Sequence, residues 1–450
     1  MHAPLHSHLD TGLGWTAIAR IGIVQACIGA LVMMATTVLN RLMVIEYGLL
    51  AAIPAGLVAW HYAVQMCRPL WGHGSDKGGN RRLWIIGGMA VLAAGMLLAT
   101  QATLMMDEPG IGVFALAILA YAIIGVGVGA AGTSALALLA SSVAPERRAA
   151  GAAMTWIMMI AGIVASAFAV GAAIEPYTQA ALTRTAFALA GVTLLITILA
   201  TYRLESGQHS FEETAKSDEA PDFGAAIKEI IAEPAAFRFT VFIFISMMAY
   251  NMQDLILEPF GGIIFKMPPG ATTQLGGMLN AGGLIGMIVA GIGGSAFQAR
   301  MPVDLRVWIV SGCLGSAVGL AGLSMGAIVG PGWPLVANVF FLGFCNGVFT
   351  VAAIGAMMGL AGAGEKTREG VRMGVWGAAQ AVAFGFAGLI GAAGRDILTP
   401  ILGDEGRAFQ VVFGFEGFLF VVAAILALRL AGTSRPHLAR PAAKNRERFA

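Results

Sequence analysis

Polar side chains are scarce in the long apolar stretches of this chain, so the few that occur there are the first candidates for chemistry. Asn40, Arg41 and Glu46 sit at the end of one such stretch, and Gln253, Asp254 and Glu258 at the end of another. A charge at the edge of hydrocarbon costs about 3 kcal/mol or more unless it is paired or wetted, which makes it a functional candidate. An arginine facing carboxylates can form an ion pair that breaks and re-forms, and the expected pair is Arg41 with Asp254 or Glu258. Glu416, in Phe415-Glu416-Gly417, is a further carboxylate inside an apolar run. It is a candidate for proton coupling, or else a neutral acid hydrogen-bonded to a neighbouring helix. The competing reading of the two end clusters is interfacial side chains that snorkel to surface water.

The elements that position these groups follow from composition. Of 450 residues, 58% are hydrophobic and 12% charged, about half the charged share of a soluble domain. A water-soluble fold cannot hide that much apolar surface, so the bilayer is the expected solvent. Stretches near the ~20 residues needed to span lie at 19–40, 50–70, 83–104, 111–141, 150–174 and 185–202. Six more follow at 239–257, 271–297, 306–329, 334–362, 374–394 and 408–430. The expectation is an all-α polytopic membrane protein with twelve transmembrane helices in two six-helix halves. Its divisions are 1–202 for the first half, 203–236 for a cytoplasmic linker, 237–430 for the second half and 431–450 for a cytoplasmic tail.

Placing both termini in the cytoplasm puts all but five of the 27 Lys and Arg on that side, the five being Arg41, Arg184, Lys266, Arg395 and Arg407. That is the asymmetry the positive-inside rule describes. The N-terminal segment Met1 to Trp15 has three His and little hydrophobicity, unlike a cleavable signal peptide. Cys27, Cys67, Cys313 and Cys345 all fall in apolar runs, which suggests buried thiols rather than a disulfide framework. Repetition supports the two halves. Pro145-Glu146-Arg147-Arg148 with Gly151, Met154 and Trp156 recurs as Glu365-Lys366 with Gly370, Met373 and Trp376.

The loop Gly72-His73-Gly74-Ser75-Asp76-Lys77-Gly78-Gly79-Asn80-Arg81-Arg82 resembles the cytoplasmic loop signature of the major facilitator superfamily. Glycines allow a tight turn between helix ends, and Asp76 can accept hydrogen bonds from a helix start or an arginine. The resemblance implies a gating role for Gly72, Ser75, Asp76, Lys77, Gly79, Arg81 and Arg82. Asn80 stands where a basic residue is usual. The competing reading is an ordinary positive-inside turn, and the full spacing favours the gating latch.

Leu39 to Gly48, together with Met252 to Thr273 (MQDLILEPFGGIIFKMPPGATT), resembles the PucC-type (bacterio)chlorophyll delivery family, a branch of that superfamily. Arg20 with Gln25 in the first span extends the likeness, and the plainer loop at 72–82 departs from it. The resemblance implies delivery or transport of (bacterio)chlorophyll in an inner or intracytoplasmic photosynthetic membrane, and assembly of light-harvesting or reaction-centre complexes. The implied partners are (bacterio)chlorophyll, antenna or reaction-centre polypeptides, pigment-synthesis enzymes and the lipid bilayer, with no nucleic acid. No covalent cofactor is expected; bound (bacterio)chlorophyll would be cargo. His61, in Ala59-Trp60-His61-Tyr62, is then a candidate ligand for the magnesium of a chlorin, or else a hydrogen-bonded packing residue. Asn346 and Gln380 are weaker candidates for a central cavity.

Two other classes compete. One is a proton-coupled secondary transporter of a small amphiphilic solute. The other is a chaperone that binds antenna helices laterally and moves no small molecule. An enzyme is not expected: the sequence has no His/Cys metal cluster, no glycine loop followed by Lys-Ser/Thr, and no nucleophile elbow in a supporting context.

Overall fold

The computed structural model describes residues 13–67, 80–204, 234–296, 305–362 and 369–430. The described chain is almost entirely helical. The first series of helices is α1 (Trp15–Met33), α2 (Leu39–Ile45), α3 (Ala52–Gln65), α4 (Arg81–Leu104), α5 (Ile111–Ser142), α6 (Pro145–Ala173) and α7 (Gln179–Thr201). The second is α8 (Pro234–Met252), α9 (Leu257–Phe265), α10 (Pro269–Ala296), α11 (Leu305–Val329), α12 (Leu335–Gly362), α13 (Glu369–Leu402) and α14 (Glu405–Leu430).

Local chemistry sets several of these boundaries. The Asn80 side chain accepts the Leu83 N–H at 3.2 Å and caps α4. The residue that departed from the loop signature is therefore a helix cap. Thr178 caps α7 in the same way through Ala181 N–H at 3.0 Å, and Pro145 opens α6, where its missing N–H costs nothing.

Ten described helices are long and apolar enough to cross a bilayer, with α1 and α2 counted as one span, or eleven with the bent pair α8–α9. The α3 helix, at 14 residues, reaches about 21 Å, short of a ~30 Å hydrocarbon core. The first span is longer than expected, because a π turn at Met34–Val38 carries α1 into α2. The seventh does not stop near residue 257. It breaks at the 3₁₀ turn Gln253–Leu255 and resumes as α9 at 43°. Cys27, Cys313 and Cys345 are buried, but Cys67 is exposed, because α3 ends at Gln65 and leaves it beyond the helix.

Helices before the linker pack on one another, with α1 against α6 and α7, α4 against α5 and α7, and α3 against α5. The later ones do the same, with α8 against α13 and α14, α10 against α12, and α11 against α12 and α14. The two bundles meet along α3 with α13, α6 with α10, and α2 with α9. At one end of the assembly, Arg20 on α1 donates to Ala200 O at 2.8 Å and to Tyr202 O at the end of α7. We term this the linker face and its opposite the far face.

Candidate functional site

The site begins with a proline. Pro259 has no N–H to give the carbonyl four residues back, that of Leu255, so the helix breaks there. Asn40 Nδ2, on α2 of the other bundle, fills the place and donates to Leu255 O at 2.8 Å. The π turn in the first span is matched in a similar way: Tyr121, on α5, donates from its hydroxyl to Ala35 O at 2.7 Å. A π turn and a broken helix thus face each other across the seam, the kind of irregularity that collects at functional sites.

Between them lies a cavity of about 140 Å3. Its polar lining includes Thr36 and Thr37 of the π turn, Tyr62 of α3, Asn251 of α8, Asp254 and Glu258 at the break, and Thr273 and Asn280 of α10. Asp254 opens into this space and is the exposed member. Glu258 is 1% exposed, and neither carboxylate oxygen meets a protein hydrogen-bond partner. Gly276 on α10 leaves room for it, since a Cβ there would lie 3.3 Å from Glu258 Oε1.

Arg41 does not pair as expected. Its Nη1 bonds Glu46 Oε1 at 2.6 Å in its own bundle, and its Nη2 donates to Met267 O at 3.2 Å in the other. No ion pair within 4 Å joins Arg41 to Asp254 or Glu258. The physical reason is sequence proximity: Glu46 lies one helical turn on, at the end of α2, and reaches the guanidinium first. Arg41 is 3% exposed at its side chain while Glu46 is 36% exposed, so this is a half-buried pair rather than two snorkelling groups. Gln253 and Asn40 are buried at 1%. Gln253 Nε2 donates to Tyr250 O at 3.0 Å. Glu416 is 0% exposed and lies within electrostatic reach of Asp254.

His61 is not at the cavity. It is 1% exposed, its Nε2 lies 2.8 Å from Gln65 Nε2, and its carbonyl packs on Gly125 of α5. The ring nitrogen is engaged by Gln65 on the same helix, the arrangement of the hydrogen-bonded packing reading, and a magnesium ligand at this position is a matter for experiment. Its neighbour Tyr62 is the residue of that segment that lines the cavity. Asn346 borders a smaller adjoining void, and the side chain of Gln380 lies outside the described residues.

Of the loop signature, Gly72, Ser75, Asp76, Lys77 and Gly79 lie outside the described residues. Arg81 reaches Ala137 O at 3.4 Å and the Ser141 hydroxyl, and Arg82 stacks 5.8 Å above the Tyr202 ring. Both tie helices within the first bundle.

Two contacts at the far face have no counterpart in the sequence reading. Asp396 Oδ2 on α13 accepts Ala52 N–H, the first of α3, at 2.8 Å. Glu175, just past α6, accepts Gly270 N–H at the start of α10 at 3.2 Å. Each carboxylate caps a helix N-terminus of the opposite bundle, where the helix dipole favours negative charge, and the two occupy equivalent places in the repeats. Only the exclusion of a Cβ at Gly171 and Gly270 lets α6 and α10 come so close, each lying within 3 Å of the other's carbonyl oxygen once a Cβ is added. A carboxylate near a helix end, with no turn signature around it, left no sign of this pairing in the sequence.

Two helical bundles around a polar seam cavity define a multi-span membrane protein of the major facilitator fold. The solved nucleoside transporter NupG superposes with a TM-score of 0.63 at 14% identity, covering 93% of this chain and 100% of that one. A D-xylose-proton symporter superposes at 0.68 and 14% identity, covering 92% and 97%. The chain belongs to the PUCC protein family, which matches residues 38–434. Among its relatives, the "Bacteriochlorophyll synthase 44.5 kDa chain" of Rhodobacter capsulatus is 47% identical over 92% of this chain and 95% of its own length. "Protein PucC" of Cereibacter sphaeroides is 28% identical over 91% of each.

Proposed function

We propose that this protein delivers or moves (bacterio)chlorophyll and assists assembly of light-harvesting or reaction-centre complexes in a bacterial photosynthetic membrane. The supporting observation is the relative at 47% identity, matched over nearly the whole of both chains and named for bacteriochlorophyll synthesis. In this reading the protein handles pigment and catalyses no step of its synthesis. The linker face is cytoplasmic, with both termini, and the partners are pigment, antenna or reaction-centre polypeptides and pigment-synthesis enzymes. The cavity of about 140 Å3 is smaller than the ~300–1,000 Å3 of a drug-sized ligand site. Pigment therefore enters in a state in which the bundles have parted. The test is purification from a pigmented host: chlorin absorbance should co-elute with the protein, and colourless protein that captures no added pigment overturns the reading.

One observation favours a second reading, an ion-coupled transporter of a small amphiphilic solute. Glu258, buried and without a hydrogen-bond partner at the cavity, is the kind of group that carries a coupled proton. Solute uptake into proteoliposomes that collapses with the pH gradient supports it, and gradient-independent uptake or none opposes it.

A further inference from the structure

Three arginines of the first bundle converge on one tyrosine at the linker face, where α1, α4 and α7 meet. Arg20 on α1 gives its Nε to Ala200 O at 2.8 Å and a second nitrogen to Tyr202 O. Arg82, at the start of α4, lies 5.8 Å from the centre of the Tyr202 ring, and Arg203 lies 5.3 Å from it. Arg203 takes that position from the left-handed backbone region, at φ 51°, a strained conformation for a residue with a side chain. A ring face and carbonyl oxygens hold these cations without neutralising them. The Arg82 Nε is buried with no hydrogen-bond partner. Among the described residues, no carboxylate lies within 4 Å of Arg20 or Arg82. Like charges gathered at the edge of hydrocarbon repel one another, so the cluster calls for an anion.

An apolar groove of about 310 Å3 starts at the next residue of α4. Leu83, Trp84, Gly87 and Val91 of α4 line one side of it, and Val126 and Ala130 of α5 the other. Glycines account for its shape. The helices touch backbone to backbone beside it, where a Cβ on Gly88 would lie 2.5 Å from Ala131 N, while a Cβ on Gly87 would meet nothing within 4 Å. From Leu83 to Val91 the helix rises about 12 Å, most of the ~15 Å of hydrocarbon in one leaflet. Apart from the Trp84 indole, the side chains lining the groove are apolar. Its length and lining suit an extended alkyl chain running inward from the membrane surface.

We propose that this corner of the first bundle holds one anionic phospholipid of the leaflet on the linker face. Its phosphate lies on Arg82 and Arg203, and one of its acyl chains lies in the groove between α4 and α5. The guanidinium fork matches phosphate oxygens, and each basic residue near the membrane surface favours an anionic headgroup about fivefold. A free phosphate would leave the groove unused, and a neutral lipid would leave the arginines unanswered. Charge beside a groove of leaflet length selects the acidic lipid. Arg20 is a positioning residue here, since it fixes the Tyr202 backbone on whose ring the other two cations gather. The headgroup joins the start of α4 to the end of α7 and so braces the first bundle. The site lies outside the seam cavity and stands whatever that cavity carries.

The experiment is native mass spectrometry of the full-length protein in detergent, titrated with phosphatidylglycerol and with phosphatidylcholine of the same acyl chains. Wild type should retain one phosphatidylglycerol about tenfold or more over phosphatidylcholine. Arg82→Gln and Arg203→Gln should each lower that preference about fivefold. Gly87→Leu fills the groove from a position whose Cβ meets no protein atom, and it should weaken phosphatidylglycerol retention about fivefold or more. Should Arg82→Gln fail to fold, Arg203→Gln and Gly87→Leu carry the test. Equal retention of the two lipids by wild type overturns the proposal. So does a Gly87→Leu protein that holds phosphatidylglycerol as wild type does; displacement by inorganic phosphate would then assign the arginines to a free anion.

Discussion

Asn40 on α2 donates its side-chain N–H to the carbonyl of Leu255, 2.8 Å away in the other bundle. That carbonyl is available because Pro259 cannot supply the helical donor. The break in the seventh span and the polar residue in the first are thus two sides of one hydrogen bond, buried at the seam beside Asp254 and Glu258.

Asn40→Ala should lower stability by about 1–3 kcal/mol, the cost of a buried carbonyl left unpaired. Thermal unfolding in detergent measures it. Pro259→Ala returns a backbone donor to Leu255, so the double variant should recover part of the loss rather than add to it. Strict additivity would show that the two residues are uncoupled.

The far face should open when its carboxylate caps are removed. Asp396→Ala and Glu175→Ala each take away an N-terminal cap across the seam, worth about 1 kcal/mol, so each should raise the open population about fivefold. The readout is the rate at which a membrane-impermeant maleimide labels Ala51→Cys, a buried position next to the α3 cap. Labelling at the parent rate in both variants would mean the caps do not hold this face.

Arg41 uses separate nitrogens for Glu46 and for Met267 O. A lysine brings one ammonium and cannot reproduce that fork. Arg41→Lys should therefore open the far face in the same labelling assay while keeping the positive charge. A parent-like rate would assign the arginine's role to charge alone.

His61→Leu should leave pigment occupancy and spectrum unchanged and lower the melting temperature, because the ring is packed against Gln65 away from the cavity. Loss of bound chlorin with an unchanged melting temperature would instead identify the residue as a ligand.

Gly343→Ala should prevent the α10–α12 contact, with a Cβ 2.0 Å from a backbone oxygen that cannot yield. Overpacking of this kind costs about 1–3 kcal/mol or more. Gly291→Ala, with nothing within 4 Å, should behave as wild type. Size-exclusion profiles of the two variants make the comparison.

Much of the architecture was legible in the residues alone. Apolar runs of bilayer length require helices, because hydrocarbon offers backbone groups no other partner. Helix positions and the helical class follow from those runs, and the family likeness rests on the resemblance of residues 39–48 and 252–273, with their Glu258-Pro259-Phe260-Gly261-Gly262 motif. The candidacy of Arg41, Asp254 and Glu258 followed from their cost in an apolar setting.

Tertiary structure alone decided which of those groups meet. Arg41 went to Glu46 and a carbonyl instead of Asp254 or Glu258, and His61 met Gln65 of its own helix while its neighbour Tyr62 lined the cavity. Asp396 and Glu175 became caps on helices hundreds or tens of residues away in the chain. Helix periodicity states that a side chain exists on a face, but its partner depends on how two helices are rotated and spaced. Those are fixed by close backbone contacts such as Gly171 with Gly270 and Gly343 with Leu279, which depend on both surfaces at once and so cannot be read from either segment by itself.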